Sequence, residues 1–262
     1  MTETNKTLYI PLYGKAYVSN KGIILQDRKA EEIWAAEGFE LGRKSRSKWL
    51  AYYMAMRRRV FDKTVADTIK QYPDAVLLHI GCGLDGRYER INADCQWYDI
   101  DFDTVIDEKK KYFAENENYH MMTGDATQAD SWLHNFPQKN AVVVMEGVSM
   151  YLTRQQMQKL VSDLQNHFEL TVLLADFYSE FAARMSKYKN PVNEVGATIY
   201  SGMDEPQPLL INDRVKFIKE TDMTPDSLIN QLDKKEQFIF RTVYAGKFAK
   251  NLYRMFEYHI KK

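Results

Sequence analysis

Cysteine is scarce in this chain. Only Cys82 and Cys95 occur among 262 residues. Two thiols build neither a disulfide framework nor a zinc cluster, and such usage fits a reducing cytoplasm. The five histidines are scattered and form no ligand-spaced pair, so no metal centre is expected. Neither sign of charge is in excess. Lys+Arg and Asp+Glu are both 36, for a formal net charge of zero. That balance argues against nucleic acid as the main partner. Long apolar runs are missing as well. The aliphatic stretch AVVVM, Ala141 to Met145, is far too short to span a bilayer. The opening MTETNKTLYIP has no basic segment leading into an apolar core, so no secretion signal and a cytoplasmic location are expected. Repeats, low-complexity tracts and Pro/Gly/Ser linkers are absent, which leaves one domain over 1–262 as the default.

What is present is an ordinary globular composition, 45% hydrophobic and 27% charged, arranged in alternating strand and helix patterns. Residues 28–40 and 46–71 read as helices preceding a sheet. Ala75–Ile80 reads as the first strand. Cys95–Ile100 is a second, with a helix to about Phe113, and Tyr119–Thr123 a third, with a helix around 127–135. Ala141–Met145 is a fourth, followed by a helix from Arg154 to Phe168 with Thr153 as N-cap. Leu170–Ala175 is a fifth. Alternation of this kind implies a mainly parallel sheet with right-handed crossovers. After Asp176 the pattern changes. Residues 177–213 read as a helix plus an irregular segment. Val215–Glu220 and Gln237–Val243 read as two further strands around a helix at 225–233, and the tail 245–260 as helical. Seven strands suit the class I methyltransferase sheet better than a six-stranded dinucleotide fold. Three regions are expected: a helical cap at 1–72, a cofactor-binding core at 73–176, and a substrate-shaping region with the last strands at 177–262.

The most informative stretch is LLHIGCGLDGRYERI, Leu77 to Ile91. An apolar run stops at a glycine-rich turn that reads G-x-G-x-x-G through Gly81, Gly83 and Gly86. Such turns let the backbone approach a nucleotide-like ligand. The pattern fits both dinucleotide and S-adenosylmethionine sites. Asp99 and Asp101, in WYDID, follow at the end of strand two, where a carboxylate can accept hydrogen bonds from ribose hydroxyls. Asp125, in TGDAT, is placed either to meet an adenine edge or to cap a helix. Glu146 follows a buried apolar strand at the switch point of such sheets, where ligands bind, and is poorly explained as surface decoration.

Arg57 is singled out by geometry. Leu50, Met54, Phe61 and Val65 fall within roughly 60° of one another on a helix. Arg57 projects into that sector and Arg59 to the opposite side. An inward guanidinium needs an anionic partner, either a cofactor carboxylate or an internal acid. Lys15, in IPLYGKAY, reads as an amphipathic lysine with its head in water.

The segments GCGLDGRYERI, WYDIDFDTVIDEK, GDATQADSWL and VVVMEGVSMYLT occur in order and at suitable spacing. Together they resemble the leucine carboxyl methyltransferase family, particularly its bacterial branch of polyketide-type O-methyltransferases. TLYIPLYGKAY and MRRRVFD fit that branch too, so the resemblance covers roughly residues 7–165. It implies an S-adenosylmethionine-dependent enzyme on a Rossmann-like sheet with helices on both faces and extra N-terminal helices. By resemblance, Arg57 holds the methionine carboxylate of the cofactor, together with Lys15. Gly81 and Gly83 approach the cofactor, Asp101 binds its ribose, Asp125 and Ala126 meet the adenine end, and Glu146 lies beside the methionine part. Gly86 stands where many relatives have threonine.

Methyl transfer is an in-line displacement in which positioning does most of the work. A carboxylate acceptor, with a pKa near ~4, needs no base, whereas a phenol near ~10 does. The sequence offers no convincing base; Tyr151 is the nearest suggestive side chain. The resemblance, moreover, points to carboxyl methylation, so the expected acceptor is the carboxylate of a small organic or polyketide-like acid. Two competing readings are an NAD(P)-dependent oxidoreductase, against which Asp85 in the turn would crowd a pyrophosphate, and a non-catalytic cofactor-binding protein.

Overall fold

The computed structural model describes residues 8–37, 41, 45–186 and 199–262. The end of the helix expected at 28–40, part of the irregular segment at 177–213 and the first seven residues lie outside them. The chain opens with α1 (Tyr9–Asn20), α2 (Arg28–Glu37) and α3 (Lys48–Gln71). Strands then alternate with helices: β1 (Val76–Ile80), α4 (Arg87–Ile91), β2 (Trp97–Asp101), α5 (Asp103–Lys109), β3 (Tyr119–Thr123), α6 (Asp130–Leu133), β4 (Asn140–Met145), α7 (Arg154–His167) and β5 (Leu170–Tyr178). The last part holds α8 (Glu180–Ser186), β6 (Val215–Thr221), α9 (Asp226–Ile229), α10 (Lys234–Val243), α11 (Lys247–Lys250) and β7 (Tyr253–Lys261).

The seven strands form one sheet in the order β3-β2-β1-β4-β5-β7-β6. The first five pair in parallel, and β7 runs antiparallel between β5 and β6. This is the expected seven-stranded, mainly parallel sheet. Its central strands are apolar on both faces, as a covered parallel sheet requires. Leu77, Trp97, Val142 and Leu174 enter one core with α1 and α3, while Leu78, Ile100, Val143 and Leu173 enter another with α7. Thr153 caps α7 in a capping box with Gln156, as expected.

The last two sequence assignments exchange places. Gln237–Val243 belongs to the helix α10, and the second half of the expected helical tail is the strand β7. QFIFRTV reads as a strand because of its aromatic and branched residues. Here Phe240 is buried while Phe238 is 73% exposed, as on a one-sided helix. YRMFEYHIK has no period-2 signal because Met255, Phe256 and Tyr258 are all buried between two neighbouring strands. Among the described residues no helix is long and apolar enough to cross a membrane.

Candidate active site

Parallel strands bring their C-terminal ends to one edge of the sheet, where loops converge. Gly81 follows β1 with φ +68, and its N–H donates to the Ile100 carbonyl at 2.7 Å. A Cβ on Gly81 would collide with Val148 Cγ2. Gly81→Ala is therefore expected to cost about 1–2 kcal/mol in backbone strain alone, with more from that collision, measured as a lower Tm and weaker cofactor binding.

Asp101 ends β2 and ties itself to the same turn. Its Oδ2 accepts the Gly83 N–H at 2.9 Å and its Oδ1 the Phe102 N–H at 2.8 Å. Burial raises its pKa, and the two N–H donors oppose that rise. Asp125, after β3, accepts the Thr127 N–H at 2.8 Å and so caps the short turn that Ala126 opens. The helix-cap reading of Asp125 is what the structure shows. Asp99 points elsewhere: it is enclosed by His79, Trp97, Tyr119 and Lys109, and so serves packing beneath the sheet edge. Lys109 also donates to the Gly83 and Asp85 carbonyls, at 3.1 and 2.6 Å, so it braces the glycine turn from below.

Glu146, after β4, is buried among three guanidiniums. Arg57 Nε lies at 2.9 Å, Arg58 Nη1 at 3.0 Å, and Arg87 Nη2 also pairs with it. Burial alone would raise its pKa; Arg58, Arg57 and Arg87 hold it below the usual range. Arg57 points inward, as its helical position requires, and Arg59 is exposed. Its partners within the chain are Glu146, the Tyr253 hydroxyl at 2.8 Å and Asp176 Oδ2 at 3.5 Å. Its Nη2 makes no hydrogen bond among the described residues. This nitrogen lies 3.4 Å from where a Cβ of Gly147 would stand, and Gly147 has φ +72. The missing side chain leaves that nitrogen open toward the sheet edge.

Two sequence readings are corrected. Lys15 does not keep its head in water. It is 2% exposed and pairs with Asp85 at 3.1 Å and Asp27 at 3.4 Å. Burial lowers its pKa, and the two acids oppose that shift. Asp85 likewise does not press its charge on a ligand. It is enclosed by Lys15, Arg58 and Arg90. Burial alone would raise its pKa, and these cations hold it well below the usual range.

Lys15 and Asp85 belong to a larger network. Lys15, Arg57, Arg58, Arg87 and Arg90 interleave with Asp27, Asp62, Asp85, Glu146 and Asp176 beneath the strand ends. Sequence reasoning missed most of it. A single apolar stripe on α3 singles out Arg57 and leaves Arg58 unremarked, yet α3 packs against both α1 and α4. Asp176 carried the same signal as Glu146, an acid ending an apolar strand run, and was read only as a boundary.

The groups at this edge fit an amino-acid sulfonium nucleoside by chemistry. A free guanidinium nitrogen suits a carboxylate, Asp101 suits a ribose, and the turn at Gly81 has no room for a side chain. Comparison with known proteins agrees. Residues 3–165 match the model of the family described as "Leucine carboxyl methyltransferase". The tetracenomycin polyketide synthesis O-methyltransferase TcmP of Streptomyces glaucescens is 27% identical over 213 residues, 80% of this chain and 78% of that protein. An S-adenosyl-L-methionine-dependent methyltransferase, dpfgK, of Gibberella zeae is 24% identical over 233 residues, with the same coverage of each chain. The fold is shared with a DUF574 family protein of Streptomyces avermitilis (TM-score 0.58, 9% identity, 90% of both chains). It is shared too with the magnesium protoporphyrin IX methyltransferase of Synechocystis, solved with bound SAH (TM-score 0.52, 9% identity, 90% of this chain and 93% of that one). The chain belongs to the leucine carboxyl methyltransferase family and is an S-adenosylmethionine-dependent methyltransferase.

Proposed function

We propose that the chain methylates an oxygen of a small, polyketide-like acceptor, with the cofactor laid along the ends of β1 to β4. The alignment of Gly81, Asp101, Asp125 and Glu146 at successive parallel strand ends carries this reading. Arg57, through its free Nη2, would hold the cofactor's carboxylate. Glu146 would face its ammonium, Asp101 its ribose, and Asp125 with Ala126 its adenine. Gly81 and Gly83 would let the backbone approach. Lys15 would act indirectly, by fixing Asp85 beneath the turn. When bound, S-adenosylmethionine supplies an electrophilic methyl carbon.

The acceptor would enter at the same edge. A cavity of about 300 Å³ opens beside the ends of β5 and β6 and the start of β7, walled by Tyr53, Thr221, Asp222, Met223 and Tyr253. That volume is at the lower end of the range for small-molecule sites. Four of these five residues come from the region after Asp176, which would therefore shape the acceptor pocket. The lack of a clear base and the family's carboxyl chemistry support a carboxylate oxygen as the acceptor.

Calorimetry is expected to show S-adenosylmethionine and its demethylated product binding, and NAD binding much more weakly. Labelled methyl transfer to a panel of aromatic acids and phenols then reports turnover. Tight NAD binding without binding of the sulfonium would overturn the reading, and cofactor binding without any turnover would favour a non-catalytic protein.

A further inference from the structure

Tyr253 opens the strand β7, in the part of the chain that the sequence reads as a helical tail. Because β7 runs antiparallel to β5, the register sets Tyr253 opposite Tyr178, the last residue of β5. A residue from the far end of the chain thus arrives at the edge where the parallel strands end. Its side chain is buried. Its ring packs on Tyr178, with centroids 4.5 Å apart, and on Tyr53 of α3, at 6.5 Å. Tyr253 and Tyr53 are also two walls of the cavity of about 300 Å³.

The hydroxyl of Tyr253 faces away from solvent, toward charge. It accepts a hydrogen bond from Arg57 Nη1 at 2.8 Å. Its own hydrogen is donated to the Asp176 carboxylate. A phenol suits this place because it can accept from a cation and donate to an anion at once. The guanidinium of Arg57 is thereby gripped at two points. Glu146 takes its Nε at 2.9 Å, and Tyr253 takes its Nη1. The guanidinium is rigid and planar, so fixing two nitrogens fixes the third. With Glu146 alone the group could pivot about one contact. Asp176 is no substitute for the second, since its Oδ2 lies 3.5 Å from Nη1, at the outer limit of hydrogen-bond reach.

Resting on the methyltransferase reading, in which Arg57 holds the cofactor's carboxylate, we propose that Tyr253 is a positioning residue of the cofactor site: its hydroxyl, set between Arg57 and Asp176, aims the open Nη2 of Arg57 at the methionine carboxylate. Tyr253 acts through Arg57 and touches no reacting atom. Its contribution is to order the guanidinium before the ligand arrives, so that binding does not bear that cost. The same side chain serves both halves of the site, with its hydroxyl on the cofactor's anchor and its ring beside the acceptor cavity. The final strand, which lies beyond the residues 3–165 matched by the family model, therefore completes the cofactor site.

The hydroxyl is well suited to a fixed bridge. Burial pushes its pKa well above the ordinary value; Arg57 opposes that rise and Asp176 adds to it. It therefore keeps its hydrogen at neutral pH and remains a donor and an acceptor together.

The test compares two ligands by calorimetry at neutral pH. S-adenosylhomocysteine carries the amino-acid end, whereas 5′-methylthioadenosine has the same nucleoside and a thioether but no carboxylate. Tyr253→Phe keeps the ring and its packing and removes only the hydroxyl. Its affinity for S-adenosylhomocysteine should fall about tenfold or more, as for a lost hydrogen bond to a charged group. Its affinity for methylthioadenosine should equal that of the parent, which also reports a folded site. In Arg57→Ala, adding Tyr253→Phe should cost nothing further, because the hydroxyl works only through the guanidinium. Three results would each overturn the proposal: unchanged S-adenosylhomocysteine affinity in Tyr253→Phe, equal losses for the two ligands, or a further loss in the double variant. All three leave the methyltransferase reading standing. Failure of the parent to bind S-adenosylhomocysteine would remove that reading and the proposal with it.

Discussion

Asp85→Asn is expected to lower the unfolding free energy by about 3–5 kcal/mol, the usual cost of leaving buried charges uncompensated. For a chain of this size that is roughly a 10 °C drop in Tm. Asp85 pairs with Lys15 at 3.1 Å, Arg58 at 2.5 Å and Arg90 at 2.9 Å, and Arg87 lies at 3.6 Å. The variant leaves these cations crowded together with one fewer anion. Asp130→Asn, at an exposed pair with Lys159, should leave Tm unchanged and serves as the control. The pH dependence follows from the same contacts. Asp27, Asp62, Asp85 and Glu146 are all held below their ordinary pKa: burial opposes this, and the surrounding cations overcome it. Their stabilisation is present above the unfolded carboxylate range and is lost as pH falls through the folded values. Thermal melts between pH 3 and 7 should therefore show stability rising with pH, with a shallower rise in Asp85→Asn. An unchanged Tm in that variant would show that the network contributes no net stability.

Arg57→Ala should weaken S-adenosylmethionine binding by about 2 kcal/mol or more, roughly thirtyfold, as expected for loss of a charge-assisted hydrogen bond. Arg59→Ala should bind normally, since Arg59 is exposed on the far side of the same helix. Arg57 has a second duty, because Glu146 and Asp176 both lean on it. Arg57→Lys separates the two. It keeps the charge but loses the fork that spans Glu146, Tyr253 and the open Nη2, so most of the stability should return and little of the affinity. Normal cofactor binding by a folded Arg57→Ala protein would remove Arg57 from the site.

The order of the first five strands was legible because each is a short apolar run closed by a turn or an acid. Glu146 and Arg57 were legible because each breaks a pattern, one at a strand end and one on an apolar helix stripe. The exchange of β7 with α10 was not legible. A strand covered on both sides loses its period-2 signal, and a short helix carrying Phe238 and Val243 outward mimics the apolar content of a strand. The charge network escaped for another reason. Its partners are far apart in sequence: Lys15 meets Asp85 across 70 residues, and Arg57 meets Tyr253 across 196. No spacing rule connects such positions, so nothing in the sequence singled out Arg58, Arg87, Arg90 or Asp62. Asp176 was legible in principle, because it ends an apolar run as Glu146 does, but its contacts with Gly147 and Arg57 are visible only once β4, β5 and α3 are side by side.

The docking of α1 bears on how ligands come and go. Leu8 stands over Gly83, Lys15 is fastened to Asp85 and Asp27, and Ile10, Leu12 and Val18 are buried. Lifting this helix would expose those three side chains at about 1.5–3 kcal/mol each and part Lys15 from both acids at once. It is thus a fixed roof, and rates of ligand exchange should be insensitive to substitutions on its outer face. Traffic is left to the opposite flank, where Lys250 and Arg254 make partly exposed pairs with Asp222 and Glu220. Breaking those pairs should shorten the residence time of a bound acceptor while hardly moving the melting temperature.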